Sequence, residues 1–221
     1  MHQHLLLKKK MEETKITAKI YLPMLVNFNS QISKLHIKRD SFLNAMIKAE
    51  LPYLEIDMRG KVLSAKAKRY IAGSLKRMGT QNVNIVVEKE VANNLNKIVS
   101  DSNLVRDAFI NRLILLLRSS ESFLEKMELP TRINTNAYKN MMWDLPTSPL
   151  RAIEEVMTDP LNYLRVASEE RDGWGLYDRP LLGNMIGFSC YLDDVNVPGT
   201  TDNQDLLSEL DLKLNIFESN Q

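Results

Sequence analysis

Arg39-Asp40-Ser41-Phe42-Leu43-Asn44 returns later in the chain as Arg106-Asp107-Ala108-Phe109-Ile110-Asn111, with conservative changes at the third and fifth positions only. A matching hexamer decides little by itself; its surroundings decide more. Before the first copy, Ile16, Ala18, Ile20 and Leu22 alternate with Thr17, Lys19 and Tyr21, and before the second, Val83, Ile85 and Val87 alternate with Asn84 and Val86. Period-two alternation is the pattern of a half-buried strand. The gaps to the hexamer are similar, 17 positions from Leu22 to Arg39 and 19 from Val87 to Arg106. After each copy stands Glu-Leu-Pro, at Glu50-Leu51-Pro52 and Glu128-Leu129-Pro130. A strand–helix–helix unit used twice accounts for all of this.

Within the first unit, Pro23 ends the strand and suits the first turn of a helix. Leu25, Phe28, Ile32 and Leu35 fall on one face of that helix. Asp40 is the expected N-cap of a second helix, with Phe42, Leu43, Met46 and Ile47 as its apolar stripe and Pro52 as its end. On that reading the first helix of this unit is about two residues shorter than its counterpart. In the second unit Val91, Leu95 and Ile98 form a helix face. Phe109, Ile110, Leu113, Ile114 and Leu117 then predict a longer helix continuing to Lys126. Between the units, 61–77 reads as a basic helix with Val62, Ala65, Ile71 and Leu75 apolar, stopped by Gly79. The expected divisions are a basic arm over 1–14, units over 15–58 and 80–130, a basic linker helix over 59–79, and an acidic, α-rich C-terminal region over 131–221.

Charge is unevenly spread over the 221 residues. Residues 1–79 carry 16 Lys and Arg against 6 Asp and Glu, whereas 131–221 carry 7 against 15. Such asymmetry suggests an end that meets a polyanion and an end repelled by it, although basic helices also carry charge simply as a solvated face. The single cysteine, Cys190, cannot close an internal disulfide, and no apolar run approaches the ~20 residues of a membrane span. Leu5-Leu6-Leu7 precedes Lys8-Lys9-Lys10, the reverse of signal-peptide order, so a cytoplasmic protein is expected.

One strand–helix–helix unit cannot bury its strand face and both helix stripes alone. Two units can pair their strands antiparallel over four helices, leaving the outer strand face to solvent. The arrangement resembles the ribbon-helix-helix DNA-binding family, over roughly 15–51 and 82–117. The resemblance implies a mainly α fold with short β-strands, and a two-stranded ribbon that enters the major groove of double-stranded DNA. It implies base readers at Thr17, Lys19 and Tyr21 in the first unit and at Asn82, Asn84 and Val86 in the second. Lysine can donate to guanine O6 and N7, asparagine can pair with adenine N6 and N7, and valine can touch a thymine methyl. It also implies phosphate anchoring at the start of each second helix, by Arg39, Asp40 and Ser41 and by Arg106, Asp107 and Ala108. Asp40 and Asp107 are equally well read as structural caps. The basic helix adds Lys66, Lys68, Arg69, Lys76 and Arg77 as phosphate contacts.

Enzyme chemistry finds little support. His2, His4 and His36 do not make a metal site, Cys190 stands in an apolar run, and Asp193-Asp194 reads as a turn. Gly173-Trp174-Gly175 is too short for a phosphate loop, so no catalytic residue, metal or cofactor is expected. The leading expectation is a bacterial-type transcriptional regulator. Alternatives are an accessory protein at a plasmid transfer origin, or a protein-interaction module without DNA binding. The ribbon can form within one chain, or each unit can pair with its copy in another chain; we expect the first, with homo-oligomers forming through Leu113–Leu117. The C-terminal region, with Leu161, Leu164, Trp174, Leu176, Ile186, Phe188 and Tyr191, is expected to contact another protein such as RNA polymerase, leaving DNA recognition to 1–130.

Overall fold

A computed structural model describes residues 12–131, 146–177 and 179. The basic arm, His2, His4, Cys190, Asp193-Asp194, and the apolar residues Ile186, Phe188 and Tyr191 lie outside the described residues. The described residues are mainly helical, with one two-stranded antiparallel sheet among them. In order, the elements are β1 (Glu13–Tyr21), α1 (Leu22–Lys34), α2 (Arg39–Asp57), α3 (Ala65–Arg77), β2 (Thr80–Glu88), α4 (Lys89–Asp101), α5 (Arg106–Leu117) and α6 (Glu121–Lys126). Among the described residues two further helices follow, α7 (Pro149–Thr158) and α8 (Asn162–Asp172).

The two strand–helix–helix segments are in register along the chain. β1, α1 and α2 begin at 13, 22 and 39, and β2, α4 and α5 at 80, 89 and 106, a constant offset of 67. Both strands have 9 residues and both first helices 13, so the first helix of the first unit is not short. The discrepancy came from taking Leu22 as strand. Pro23 sits in the first turn of α1, which makes Tyr21 the N-cap and moves Leu22 into the helix. Even the connecting turns match: His36 and Asn103, again 67 apart, both hold positive φ, at 57° and 52°. Asparagine and histidine enter that left-handed region more readily than most side chains, which lets each first helix stop and reverse in a few residues.

β1 and β2 pair within the chain, as expected, with Thr17 opposite Asn84, Lys19 opposite Asn82 and Lys15 opposite Val86. Ile16, Ala18 and Ile20 from one strand and Val83, Ile85 and Val87 from the other form the buried face. They join one continuous core with Leu25, Phe28, Leu43, Met46, Leu95, Phe109 and Leu113 from the four helices beneath.

Several helix limits differ from expectation. Leu35 lies past the last residue of α1 and is 63% exposed. Pro52 does not close α2, which continues to Asp57 because Leu51, Leu54 and Met58 bury their side chains around it. That burial outweighs the roughly 3 kcal/mol an interior proline costs. The N-cap of α2 is Lys38, not Asp40. In α3 the cap is Ser64, whose hydroxyl accepts from the Ala67 N–H, so Leu63, Ala67, Ile71 and Leu75 turn inward while Val62 and Ala65 are exposed. Gly79 follows α3 with φ at 72°, the left-handed stop its position predicted.

α5 ends at Leu117 rather than running on, and α6 restarts with Ser120 accepting from the Phe123 N–H. Every residue of α5 from Ala108 to Leu116 is buried. A helix apolar on all sides is one covered on all sides. The expected oligomer surface at Leu113–Leu117 is therefore largely used inside the chain, with only Leu117 partly open.

Part of that cover comes from the acidic C-terminal region. The expected break at Asp159-Pro160 separates α7 from α8. Leu161, Leu164, Ala167, Leu176 and Tyr177 then join the same core, with Tyr177 against Phe109 at 5.4 Å between ring centroids. A Cβ at Gly175 would overlap the Asp57 carboxylate, so this segment reaches α2 only because it has no side chain there. α7 buries none of its residues and leaves Leu150, Ile153 and Val156 exposed.

Candidate nucleic-acid interface

The outer face of the ribbon carries all six expected base readers. Thr17, Lys19, Asn82 and Asn84 are exposed, and Tyr21 and Val86 are half-buried. The pairing makes them neighbours, Thr17 across from Asn84, Lys19 from Asn82 and Tyr21 from Thr80. Lys15, exposed and opposite Val86, belongs to the same face. Its even spacing from Thr17 was the available signal, since strand side chains alternate faces at every residue.

The repeated hexamer reaches across to the ribbon. Its Arg, Asp and Asn side chains hold the outer edge of the opposite unit's strand. Arg39 Nη2 donates to the Asn84 carbonyl at 3.1 Å, and Arg106 Nη2 to the Thr17 carbonyl at 2.6 Å. Asp40 Oδ2 accepts from the Val86 N–H at 3.2 Å, and Asp107 accepts from the Lys19 N–H. Asn44 Oδ1 accepts from the Glu88 N–H at 2.8 Å, and Asn111 Oδ1 from the Tyr21 N–H at 3.0 Å. Asn111 Nδ2 also donates to the Lys19 carbonyl at 2.7 Å. Apart from this last bond, each contact in one unit has its partner 67 residues away in the other; Asn44 Nδ2 donates instead to Glu88 Oε1 at 3.0 Å. A two-strand ribbon has two open edges, and open edges template aggregation. The hexamer closes both.

This settles where the expected phosphate residues stand. Asp40 and Asp107 turn their carboxylates to strand amides, so the structural reading of both fits the geometry. Burial raises the pKa of Asp107, against the lowering effect of the Lys19 N–H and the Arg106 charge. Ala108 is fully buried, and its N–H donates to the Val105 carbonyl at 2.9 Å. Ser41 is exposed in the first turn of α2. Arg39 and Arg106 each carry more N–H donors than the strand contact uses, at the margin of the ribbon face. Lys38, exposed beside Arg39, was not among the expected residues; its counterpart is Val105.

The cations of α3 fall into two groups, not one patch. Lys66 and Lys76 are ten positions apart, about 15 Å along a helix. Lys68 Nζ donates to Asn103 Oδ1 at 2.9 Å, which puts the first group beside the turn leading into α5. Arg69 Nε bonds the Ala65 carbonyl and Arg77 Nη2 the Ser74 hydroxyl. Lys76 and Arg77 precede Gly79, whose carbonyl accepts from the Leu22 N–H at 3.4 Å. They therefore stand at the ribbon end where Tyr21 meets Thr80.

Away from the ribbon, sequence reasoning missed a buried ionic cluster. Arg165 Nη1 donates to Glu50 Oε1 at 2.7 Å, also bonds Asp159, and lies 3.7 Å from the centre of the Tyr53 ring. The Tyr177 hydroxyl donates to Glu50 Oε2 at 2.7 Å. Burial raises the pKa of Glu50 despite the lowering effect of Arg165 and Tyr177. The cluster joins α2 to the C-terminal segment. Among the described residues no group of three His, Cys, Asp or Glu side chains could hold a metal, and no helix is long and apolar enough to cross a membrane. No protein-family model, no curated protein and no solved structure matches this chain.

Proposed function

We propose that this chain binds double-stranded DNA as a tandem ribbon-helix-helix protein, laying the β1–β2 ribbon in the major groove, and that it acts as a transcriptional regulator. The observation that carries the reading is the outer ribbon face. Lys15, Thr17, Lys19, Asn82 and Asn84 project from it together, and no other part of the described chain covers it. A two-stranded ribbon matches the ~12 Å width of the major groove, and these side chains have the donors and acceptors that base edges present there. The edge clamps support the same reading, because a ribbon must keep its shape while its face is in water. Lys38, Arg39, Arg106, Lys76 and Arg77 border the face and would meet the phosphates on either side.

Titration of labelled duplex with the full chain over a range of salt concentrations tests this. Affinity should fall with salt at a slope of about −0.9 per phosphate contacted, and a selected sequence should bind more tightly than mixed sequence. A chain that retains no duplex at low salt overturns the reading. Mapping the preferred sites to promoters, with altered transcription when the protein is removed, tests the regulatory role.

A further inference from the structure

The 67-residue offset and the strand register together define a local two-fold axis. Residue pairs across the ribbon have numbers summing to a constant, so one pair, Thr17 and Asn84, is both cross-strand partner and repeat counterpart. The axis passes between them. Under it Lys15 maps onto Asn82, Lys19 onto Val86 and Tyr21 onto Glu88. A two-chain ribbon would present the same side chains on both sides of such an axis; this one does not.

On one side of the centre stand Lys19 with Asn82, then Tyr21 with Thr80. These offer a lysine for guanine O6 and N7, an amide for adenine N6 and N7, and two hydroxyls. Lys76 and Arg77 arrive at this same end from α3. On the other side stand Lys15 with Val86, then Glu13 with Glu88. Valine can touch only a thymine methyl, and carboxylates are repelled by phosphate. Among the described residues two cations near them are engaged, Lys48 with Glu88 and Lys89 with Glu12, each at 2.8 Å. The ribbon is therefore polar along its length, in charge and in reading chemistry alike.

From this we infer that the chain recognises a non-palindromic duplex site in one fixed orientation. The half-site under Lys19 and Asn82 is read for guanine and adenine edges and gripped by Lys76 and Arg77. The half-site under Lys15 and Val86 is read loosely. The inference rests on the DNA-binding reading above and goes further, because that reading is equally compatible with a symmetric site.

The experiment is selection of bound sequences from a random duplex pool by the full chain, followed by affinity measurement for Lys19→Ala, Asn82→Ala and Lys15→Ala on the selected site in 1:1 complexes. Circular dichroism melting checks that each variant is folded. The expected core is not its own reverse complement. Lys19→Ala and Asn82→Ala should each weaken it by about 5- to 150-fold and relax base preference in the same half. Lys15→Ala should weaken it by less than about 5-fold. A palindromic core, or Lys15→Ala and Lys19→Ala relaxing opposite halves to equal extents, overturns the inference and leaves DNA binding standing. No enrichment together with no retention of duplex at low salt overturns both.

Discussion

Thr17 and Asn84 face each other at the centre of the ribbon, the Thr17 hydroxyl donating to the Asn84 side-chain carbonyl over 2.8 Å. The backbone carbonyls of the same two residues point the opposite way, to the ribbon's outer edges, where Arg106 and Arg39 hold them. One pair of positions thus joins the exposed face to both edge clamps. Disturbing the clamps should be felt in stability, and disturbing the face in binding.

The two clamp asparagines are equivalent in sequence but not in surroundings. Asn111 is fully buried and serves the Tyr21 N–H and the Lys19 carbonyl, whereas Asn44 is partly exposed. Asn111→Ala empties a fully buried site and leaves two part-buried backbone groups without this partner, so it should cost about 2–3 kcal/mol, against about 1 kcal/mol for Asn44→Ala. Urea denaturation of both variants checks the order; equal losses would mean that the Asn111 bonds contribute no more than exposed ones.

Lys76 and Arg77 should act on DNA through charge alone. Replacing both with alanine is expected to reduce the salt slope of duplex binding by about two while preserving the ranking of sequences. Lys66→Ala with Arg69→Ala, at the other end of α3, provides the comparison. An unaltered slope in the first pair would place those side chains off the DNA.

Arg165→Met should be severe, because it leaves the Glu50 carboxylate buried without its cation. Loss of one partner of a buried pair costs about 3–5 kcal/mol. The double variant Arg165→Met with Glu50→Gln should recover much of that. The pH dependence has a definite sign. With its folded pKa raised by burial, Glu50 is more easily protonated in the folded chain than in the unfolded one. The penalty in Arg165→Met is therefore full at neutral pH and is relieved as pH falls through the folded pKa of Glu50. Denaturation midpoints of the single variant at pH 7 and pH 5, set beside the wild type, measure this.

Glu88 titrates with the opposite sign. Its hydrogen bonds to Lys48 and Asn44 lower its pKa from the ordinary 4.5. The stability it contributes is present above about pH 4.5 and is lost as pH falls through its folded value. Glu88→Gln should therefore narrow its gap from the wild type in acid, and a gap constant from pH 7 to pH 3 would contradict the assignment.

Truncation after Pro130 now has a different expected result from that of a separable C-terminal region. Phe109 and Arg112 are fully buried, and Tyr177 and the Leu176 carbonyl contact them directly. Removing 131–221 uncovers both, so the fragment should melt several degrees lower and self-associate. Its duplex affinity, measured well below that midpoint, should remain if recognition belongs to the ribbon. A fragment as stable as the full chain would show that the docked segment contributes nothing to the fold.

The sequence by itself determined the repeat and the strand faces, because these follow from local periodicity, whereas the pairing of β1 with β2 inside one chain came from the tertiary structure. Alternation in Ile16–Tyr21 and Val83–Val87 sets which side chains point outward whatever they pack against. It also placed α1, α4 and the break before Leu161, where proline and spacing act within a few residues. Tertiary structure decided what the hexamer does. Nothing local to Arg39-Asp40 or Asn44 says that their hydrogen-bond partners lie more than forty residues away on the opposite strand. Nor could periodicity tell that α5 is covered on all sides, since a continuous apolar helix reads alike whether it meets a second chain or the end of its own. Burial by Leu176 and Tyr177, and the pairing of Glu50 with Arg165 across 115 positions, depend on chain reversal in three dimensions, which no short window of sequence records.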